Sequence, residues 1–210
     1  MEFLDQNGKP VDWDSVKGVI FDVDGTLYHQ KPVRLRMALR LGYHVLRNPL
    51  DFRKLLGIYH FRKLREAERF RVQPLEKQIQ EAARLAGIQD AKRLKEAIQK
   101  WMFDMPLPLI RAHRNRETLR LLNRLHTEGK KILIYSDYAP EQKLNTLEVK
   151  ADAVYYPGTN GIEELKPSGK SVQRILEDQG FSPEEMVFVG DRPERDGESA
   201  RAAGMRFILV

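Results

Sequence analysis

The residues Phe21-Asp22-Val23-Asp24-Gly25-Thr26-Leu27, running straight on from Val19-Ile20, constrain this chain more than any other stretch. An apolar run of this kind has the character of a buried strand, and it delivers two aspartates, two residues apart, to the strand's end. Side chains at i and i+2 of a strand share a face, unless the chain turns before the second. A carboxylate taken out of water without a partner is costly. Two that converge at a strand end call for a cation, and Gly25 lets the backbone turn away sharply. That is a metal-assisted site in outline. The competing reading is an acidic turn that merely caps a strand, since Asp and Gly are ordinary turn formers.

Further pieces downstream weigh against the plain turn. Lys131-Ile132-Leu133-Ile134-Tyr135 ends in Ser136-Asp137. Lys166-Pro167 follows a loop containing Gly158, Asn160 and Gly161. Met186-Val187-Phe188-Val189 ends in Gly190-Asp191, with Asp196 close behind. Each polar group closes, or lies beyond, a short apolar run with strand character. In open α/β sheets the ligand crevice lies outside the carboxyl ends of the strands, so these pieces are expected to meet in one place.

Taken in that order, Asp22-Val23-Asp24-Gly25-Thr26, Ser136, Lys166 and Gly190-Asp191 through Asp196 resemble the four motifs of the haloacid dehalogenase-like (HAD) hydrolases. The resemblance covers nearly the whole chain. It implies an α/β fold, a Rossmann-like doubly wound parallel sheet with an inserted α-helical cap. It also implies a Mg²⁺-dependent phosphatase acting on a small phosphomonoester. In that family pattern Asp22 is the nucleophile and forms an aspartyl-phosphate. Asp24 protonates the leaving group and then activates water; spacing alone leaves the two aspartates interchangeable. Asp24 needs a raised pKa for the first role, and crowding by other carboxylates is expected to raise it. The resemblance assigns Mg²⁺ to Asp22, the backbone carbonyl of Asp24 and Asp191. It sets Asp196 behind them, binding metal waters or orienting Lys166. Thr26, Ser136 and Asp137 form the phosphate-binding set with Lys166, Ser136 donating its hydroxyl beside nearby backbone N–H groups. Lys166 is also catalytic, a positive charge where charge builds in transfer. A phosphomutase could use the same site, whereas halide displacement has no need of Asp24.

The remaining punctuation suits this core. Strands are expected at Val19–Val23, Lys131–Tyr135, Ala153–Tyr156, Met186–Val189 and Arg206–Val210. Helices are expected at Thr118–His126, near Glu141–Leu147, at Ser171–Asp178 before Gly180, and at Glu198–Ala203 before Gly204. Ser182-Pro183-Glu184-Glu185 reads as a helix start, and Asn7-Gly8 as a tight turn. Strands alternating with helices imply a parallel sheet with right-handed crossovers. Between Lys31 and about Ile110 the alternation stops. Helical faces recur there at Phe61, Leu64, Ala67 and Glu68, at Ile79, Ala82, Ala83 and Ala86, and at Leu94, Ala97, Ile98 and Trp101. Met105-Pro106-Leu107-Pro108 reads as a linker. The expected organisation is a core of residues 1–29 and 111–210 with a helical cap of residues 30–110.

The chain has 210 residues, enough for one good-sized core with an inserted subdomain. It has no cysteine, which excludes disulfides, Cys-based zinc sites and a cysteine nucleophile. Met1-Glu2-Phe3-Leu4-Asp5 lacks a basic region followed by an apolar stretch, and no apolar run approaches a membrane span. A soluble, cytoplasmic protein is therefore expected. Gly169-Lys170-Ser171 imitates the tail of a P-loop, but Glu164 stands where the leading glycine belongs. Asp22-Val23-Asp24-Gly25 imitates a calcium loop with its glycine two positions early. His29, His44, His60, His113 and His126 show no zinc spacing.

The formal net charge is +6, and it is unevenly placed. Lys31 to Val72 is rich in Arg and Lys, from Arg34 and Arg36 through Arg69 and Arg71, against only Asp51, Glu66 and Glu68. Leu39, Leu46, Leu55, Leu56 and Phe61 interleave with these bases. A solvated helical surface accounts for the pattern; so does attraction to an anionic substrate, a nucleic acid or an anionic membrane surface. Tyr28, His29 and Arg34 are candidates for substrate selection by proximity to the first motif.

Overall fold

The computed structural model describes residues 3–67 and 73–210. The described residues within 1–30 and 110–210 form one compact unit, and those within 31–109 a second.

The first unit is built on a five-stranded parallel sheet of order β3-β2-β1-β4-β5. Its strands are β1 (Gly18–Phe21), β2 (Lys131–Tyr135), β3 (Ala153–Tyr155), β4 (Met186–Gly190) and β5 (Arg206–Leu209). Every residue of β1 and β4 is buried, which is why these strands read as unbroken apolar runs rather than alternating ones. Ile20, Leu133, Tyr135, Phe188 and Phe207 share one core cluster with Val172, Ile175 and Leu176. Their strand neighbours Val19, Phe21, Ile134 and Val187 point the other way and are also fully buried. Each parallel step needs a crossover, and helices supply them: α6 (Arg116–Thr127), α7 (Glu141–Leu147), α8 (Gly169–Gln179) and α9 (Glu198–Ala202).

Local chemistry sets the helix ends. Asn115 caps α6 by accepting from the Thr118 N–H, and Ser168 caps α8 by accepting from Lys170. Gly180 ends α8 with φ of 69°, a left-handed conformation that favours glycine. Asn7-Gly8 is a turn, with the Asp5 carboxylate accepting from the Asn7 and Lys9 N–H groups. Some expectations shift. β1 stops at Phe21, so Asp22 and Val23 lie beyond it. Ser182-Pro183 opens only a 3₁₀ turn (Pro183–Glu185) with a capping box, because β4 begins at once. A π-helical turn, Pro193–Gly197, precedes α9.

The second unit is helical: α1 (Gln30–Arg47), α2 (Phe52–Glu66), α3 (Leu75–Leu85) and α4 (Ala91–Ile98), with α5 (Leu107–Ala112) crossing back into the first. Phe61 and Leu64 of α2, Ile79, Ala82 and Ala83 of α3, and Leu94, Ala97 and Ile98 of α4 are buried. Gly57 lets α2 approach α4 closely, since a Cβ there would lie 2.6 Å from Leu94 Cδ1. Ala67 caps α2 rather than extending it. Glu68, Arg69, Arg71 and Val72 lie outside the described residues. Leu107-Pro108 is not a linker but the first turn of α5, where a proline's missing N–H has no helical partner to lose. None of the described helices is long and apolar enough to cross a membrane.

Candidate active site

The carboxyl ends of β1, β2 and β4 converge on a buried polar cluster. Asp22 stays beside β4 because its N–H donates to the Val189 carbonyl at 2.9 Å. The chain then turns, with the Leu27 N–H donating to the Val23 carbonyl at 3.1 Å. Thr26 is fully buried and its hydroxyl donates to Asp22 Oδ2 at 3.2 Å. Asn115 pins the turn from outside, donating from its side chain to the Thr26 carbonyl and from its backbone to the Leu27 carbonyl. Gly25 has φ of 111°, and a Cβ on it would lie 2.0 Å from Asp191 Oδ2. Gly25→Ala is therefore expected to displace Asp191 and strain the turn. The check is calorimetric titration with Mg²⁺ beside thermal unfolding. Mg²⁺ binding at wild-type strength, with no loss of stability, is the result that contradicts it.

Lys166 is the centre of charge. Its ammonium donates to Asp22 Oδ1 at 2.5 Å and to Asp196 Oδ1 at 2.7 Å. It also lies 4.9 Å from the Tyr135 ring centroid and 5.2 Å from that of Phe188, a favourable placement for a desolvated cation. Burial opposes its charge, but Asp196 and then Asp22 outweigh that and hold the ammonium well above the usual lysine range. Burial pushes the Asp22 carboxyl up, Lys166 pulls it back, and Asp196 and Asp24 push it further up.

Asp24 has a different environment. Lys143 donates to its two oxygens at 2.5 and 2.7 Å, and the Tyr28 hydroxyl to Oδ1 at 2.5 Å. The expectation of a raised pKa is overturned here. Burial does push it up, but the Lys143 charge and the hydrogen bonds from Lys143 and Tyr28 outweigh burial and lower it. Crowding by carboxylates is answered by a lysine the motif reading did not contain. Lys143 sits on α7 one turn before Leu147. A lysine on the buried face of an otherwise ordinary crossover helix was the only sequence signal for it.

Among the described residues, carboxylate oxygens of Asp22, Asp191 and Asp196 all lie within 4.8 Å of one another. Asp196, expected to bind metal waters or to orient Lys166, accepts from the Lys166 ammonium and also stands in this carboxylate cluster, which does not include the Asp24 carboxylate. Asp22 and Asp196 both accept from the Lys166 ammonium, and Asp191 lies beside them with Arg192 and then Lys166 as its nearby positive charges. Asp191 Oδ1 is buried and has no hydrogen-bond partner among the described residues. Burial, and then the charge of Asp196, push the Asp191 carboxyl up to about 6. An all-oxygen donor set with an unsatisfied carboxylate oxygen suits a hard dication such as Mg²⁺.

The remaining expected residues are placed as follows. Ser136 is buried at the end of β2, its N–H donating to Tyr155 and its Oγ accepting from the Tyr138 N–H at 3.3 Å. The Asp137 carboxylate is already committed: it accepts from the Lys166 N–H at 3.0 Å and pairs with Arg195 at 2.8 Å. Arg195 also donates to the Lys166 carbonyl at 2.7 Å, so it braces the lysine loop; nothing in its sequence context signals this. His29 is exposed, and its backbone N–H bonds the His113 carbonyl.

The family described as haloacid dehalogenase-like hydrolase matches residues 16–204. Among solved structures, the HAD hydrolase YfnB of Bacillus subtilis, described as putative and bound to magnesium, superposes with a TM-score of 0.61 at 15% identity over 91% of this chain and 87% of its own. A 2-haloacid dehalogenase of Pseudomonas syringae gives 0.59 at 17% identity, over 91% and 85%. A predicted phosphoglycolate phosphatase of Haemophilus somnus gives 0.56 at 15%, over 92% and 84%. At these identities what is shared is the fold. No curated protein matches.

Proposed function

The chain belongs to the haloacid dehalogenase-like hydrolases, and from that premise we propose that it is a phosphatase that hydrolyses a small phosphomonoester through an aspartyl-phosphate on Asp22. The observation that carries this reading is the joint arrangement of Asp22, Lys166, Asp191 and Asp196 beside an Asp24 held by Lys143 and Tyr28. Asp22 presents a carboxylate oriented by Thr26 and Lys166. That oxygen attacks phosphorus while the ester P–O bond breaks, and the leaving oxygen takes a proton from Asp24. Asp24 then removes a proton from water, which attacks the same phosphorus. The P–O bond to Asp22 breaks, inorganic phosphate forms and the carboxylate is restored. Asp24 rests ionised against Lys143, which matches its base role. Its acid role requires the incoming phosphate's charge to draw a proton onto it. Lys166 offsets charge on the phosphoryl oxygens, and Ser136 and the backbone after it offer donors to them. Asp22 and Asp191, with Asp196 and the Asp24 carbonyl beside them, would hold Mg²⁺, which supplies Lewis-acid neutralisation of the phosphate.

A second aspartate supported by a lysine and a tyrosine favours ester cleavage over halide displacement, which needs no proton for its leaving group. The experiment is a screen of sugar phosphates, nucleotides and phosphorylated acids with Mg²⁺, with excess chelator, and with Mg²⁺ restored. Inorganic phosphate release that needs the metal is expected. Isomerised sugar phosphate without release would replace the reading by a phosphomutase, and chloride release from 2-haloacids alone by a dehalogenase.

A further inference from the structure

Helix α1 is apolar on the side where apolar residues are least expected. Val33 is its one buried side chain. Met37, Leu41 and His44 lie half-buried on that same side, where the His44 ring meets Trp101 at 5.1 Å. The opposite side of a surface helix is ordinarily polar. Here it carries Leu35, Leu39, Tyr43 and Leu46, exposed by 64, 66, 55 and 81%. At 3.6 residues per turn these four fall within roughly 80° of helix face. Leu50 and Phe52, past the helix, are exposed too, by 95 and 55%.

The charges are placed around that stripe. Arg36, Arg40 and Arg47 run along one edge and Lys31 along the other, all exposed. The Arg47 guanidinium lies 4.7 Å from the Tyr43 ring centroid. No Asp or Glu occurs between Asp24 and Asp51.

We propose that α1 docks in the plane of an anionic lipid surface, with Leu35, Leu39, Tyr43 and Leu46 entering the headgroup–acyl boundary and Arg36, Arg40, Arg47 and Lys31 meeting lipid phosphates. A helix with a continuous apolar stripe edged by bases fits that environment on both counts. A nucleic acid would satisfy the bases but offers little to an outward row of leucines. A second copy of the chain would cover the leucines but set arginine rows against each other, with no acid on the helix to pair them. The proposal is independent of the reaction at Asp22.

The test is co-sedimentation of the full chain with phosphatidylcholine vesicles and with vesicles that also contain phosphatidylglycerol, at low and high salt. Two variants accompany it: L39S/L46S, and R36Q/R40Q/R47Q. These side chains are exposed, and matching thermal unfolding curves establish that both variants fold. Binding only to the anionic vesicles is expected. It should fall on the order of 100-fold in the arginine variant and on the order of 10-fold or more in the leucine variant, and weaken with salt in the wild type. Absence of binding to anionic vesicles at low salt overturns the proposal, as does full binding by the leucine variant. Light scattering that shows a dimer split by L39S/L46S, or salt-sensitive duplex DNA binding without vesicle binding, also overturns it and assigns the stripe to a second copy or to nucleic acid.

Discussion

Asparagine at position 22 is expected to lower turnover on the order of 10⁴-fold or more, the scale on which an enzyme loses its nucleophile. The fold should survive. Asp22 is one of two carboxylates on Lys166, and Asp196 keeps the ammonium paired at 2.7 Å. The amide conserves the shape of the side chain and its neighbours Thr26 and Val189. It removes a buried charge that burial itself disfavours. Two measurements separate the chemistry from the scaffold. Steady-state kinetics should show the loss in kcat, and an acid quench during turnover should trap acid-stable phosphoprotein in the wild type and none in Asp22→Asn. Normal turnover by a folded Asp22→Asn protein would falsify the covalent mechanism.

Lys166→Met is expected to cost both activity and stability, and here the larger consequence is structural. The methionine can follow much of the lysine's path between Tyr135 and Phe188, so packing changes little. What disappears is the positive charge beside Asp22 and Asp196, whose carboxylates are then buried without it. Removing one partner of a buried ion pair costs about 3–5 kcal/mol. The sign of its pH dependence follows from the carboxylates. Burial already holds the Asp22 carboxyl above its unfolded value, and losing the Lys166 charge that pulls it back raises it further, so the native state of the variant prefers it protonated. The deficit should therefore shrink as pH falls toward the ordinary carboxylate range and grow as pH rises from it. Urea unfolding of both proteins across that range measures it. Mg²⁺ should return part of the stability if Asp22, Asp191 and Asp196 hold it, because a dication replaces some of the lost charge. Equal stability of the two proteins at neutral pH would show that the three carboxylates do not depend on Lys166 for compensation.

The two expectations differ in how they could be reached. Asp22 was legible because a motif at a strand end is local: an apolar run, a carboxylate and a turn-forming glycine are adjacent in sequence. The strands were legible for the same reason, since those buried on both faces leave unbroken apolar runs such as Val187-Phe188-Val189. Boundaries were less so. β1 stops at Phe21 because ladder pairing with Ile134 and Val189 ends there, and apolar Val23 belongs to the turn. Pro108 looks like a break until it is seen in the first turn of α5.

The sequence by itself determined that a parallel α/β core would form and which strand ends would carry Asp22, Ser136 and Asp191. Periodicity, turn chemistry and apolar runs are properties of neighbours along the chain. Only the tertiary structure decided the electrostatic partners. Lys143 reaches Asp24 across 119 positions and Lys166 reaches Asp22 across 144; burial then decides what each pairing does. The tertiary structure thereby lowers Asp24, where Lys143 and Tyr28 outweigh burial, and leaves Asp191 raised, where burial prevails. It likewise decided that the leucines of α1 face outward, because a helix with two apolar sides does not state in its sequence which one the rest of its unit will cover.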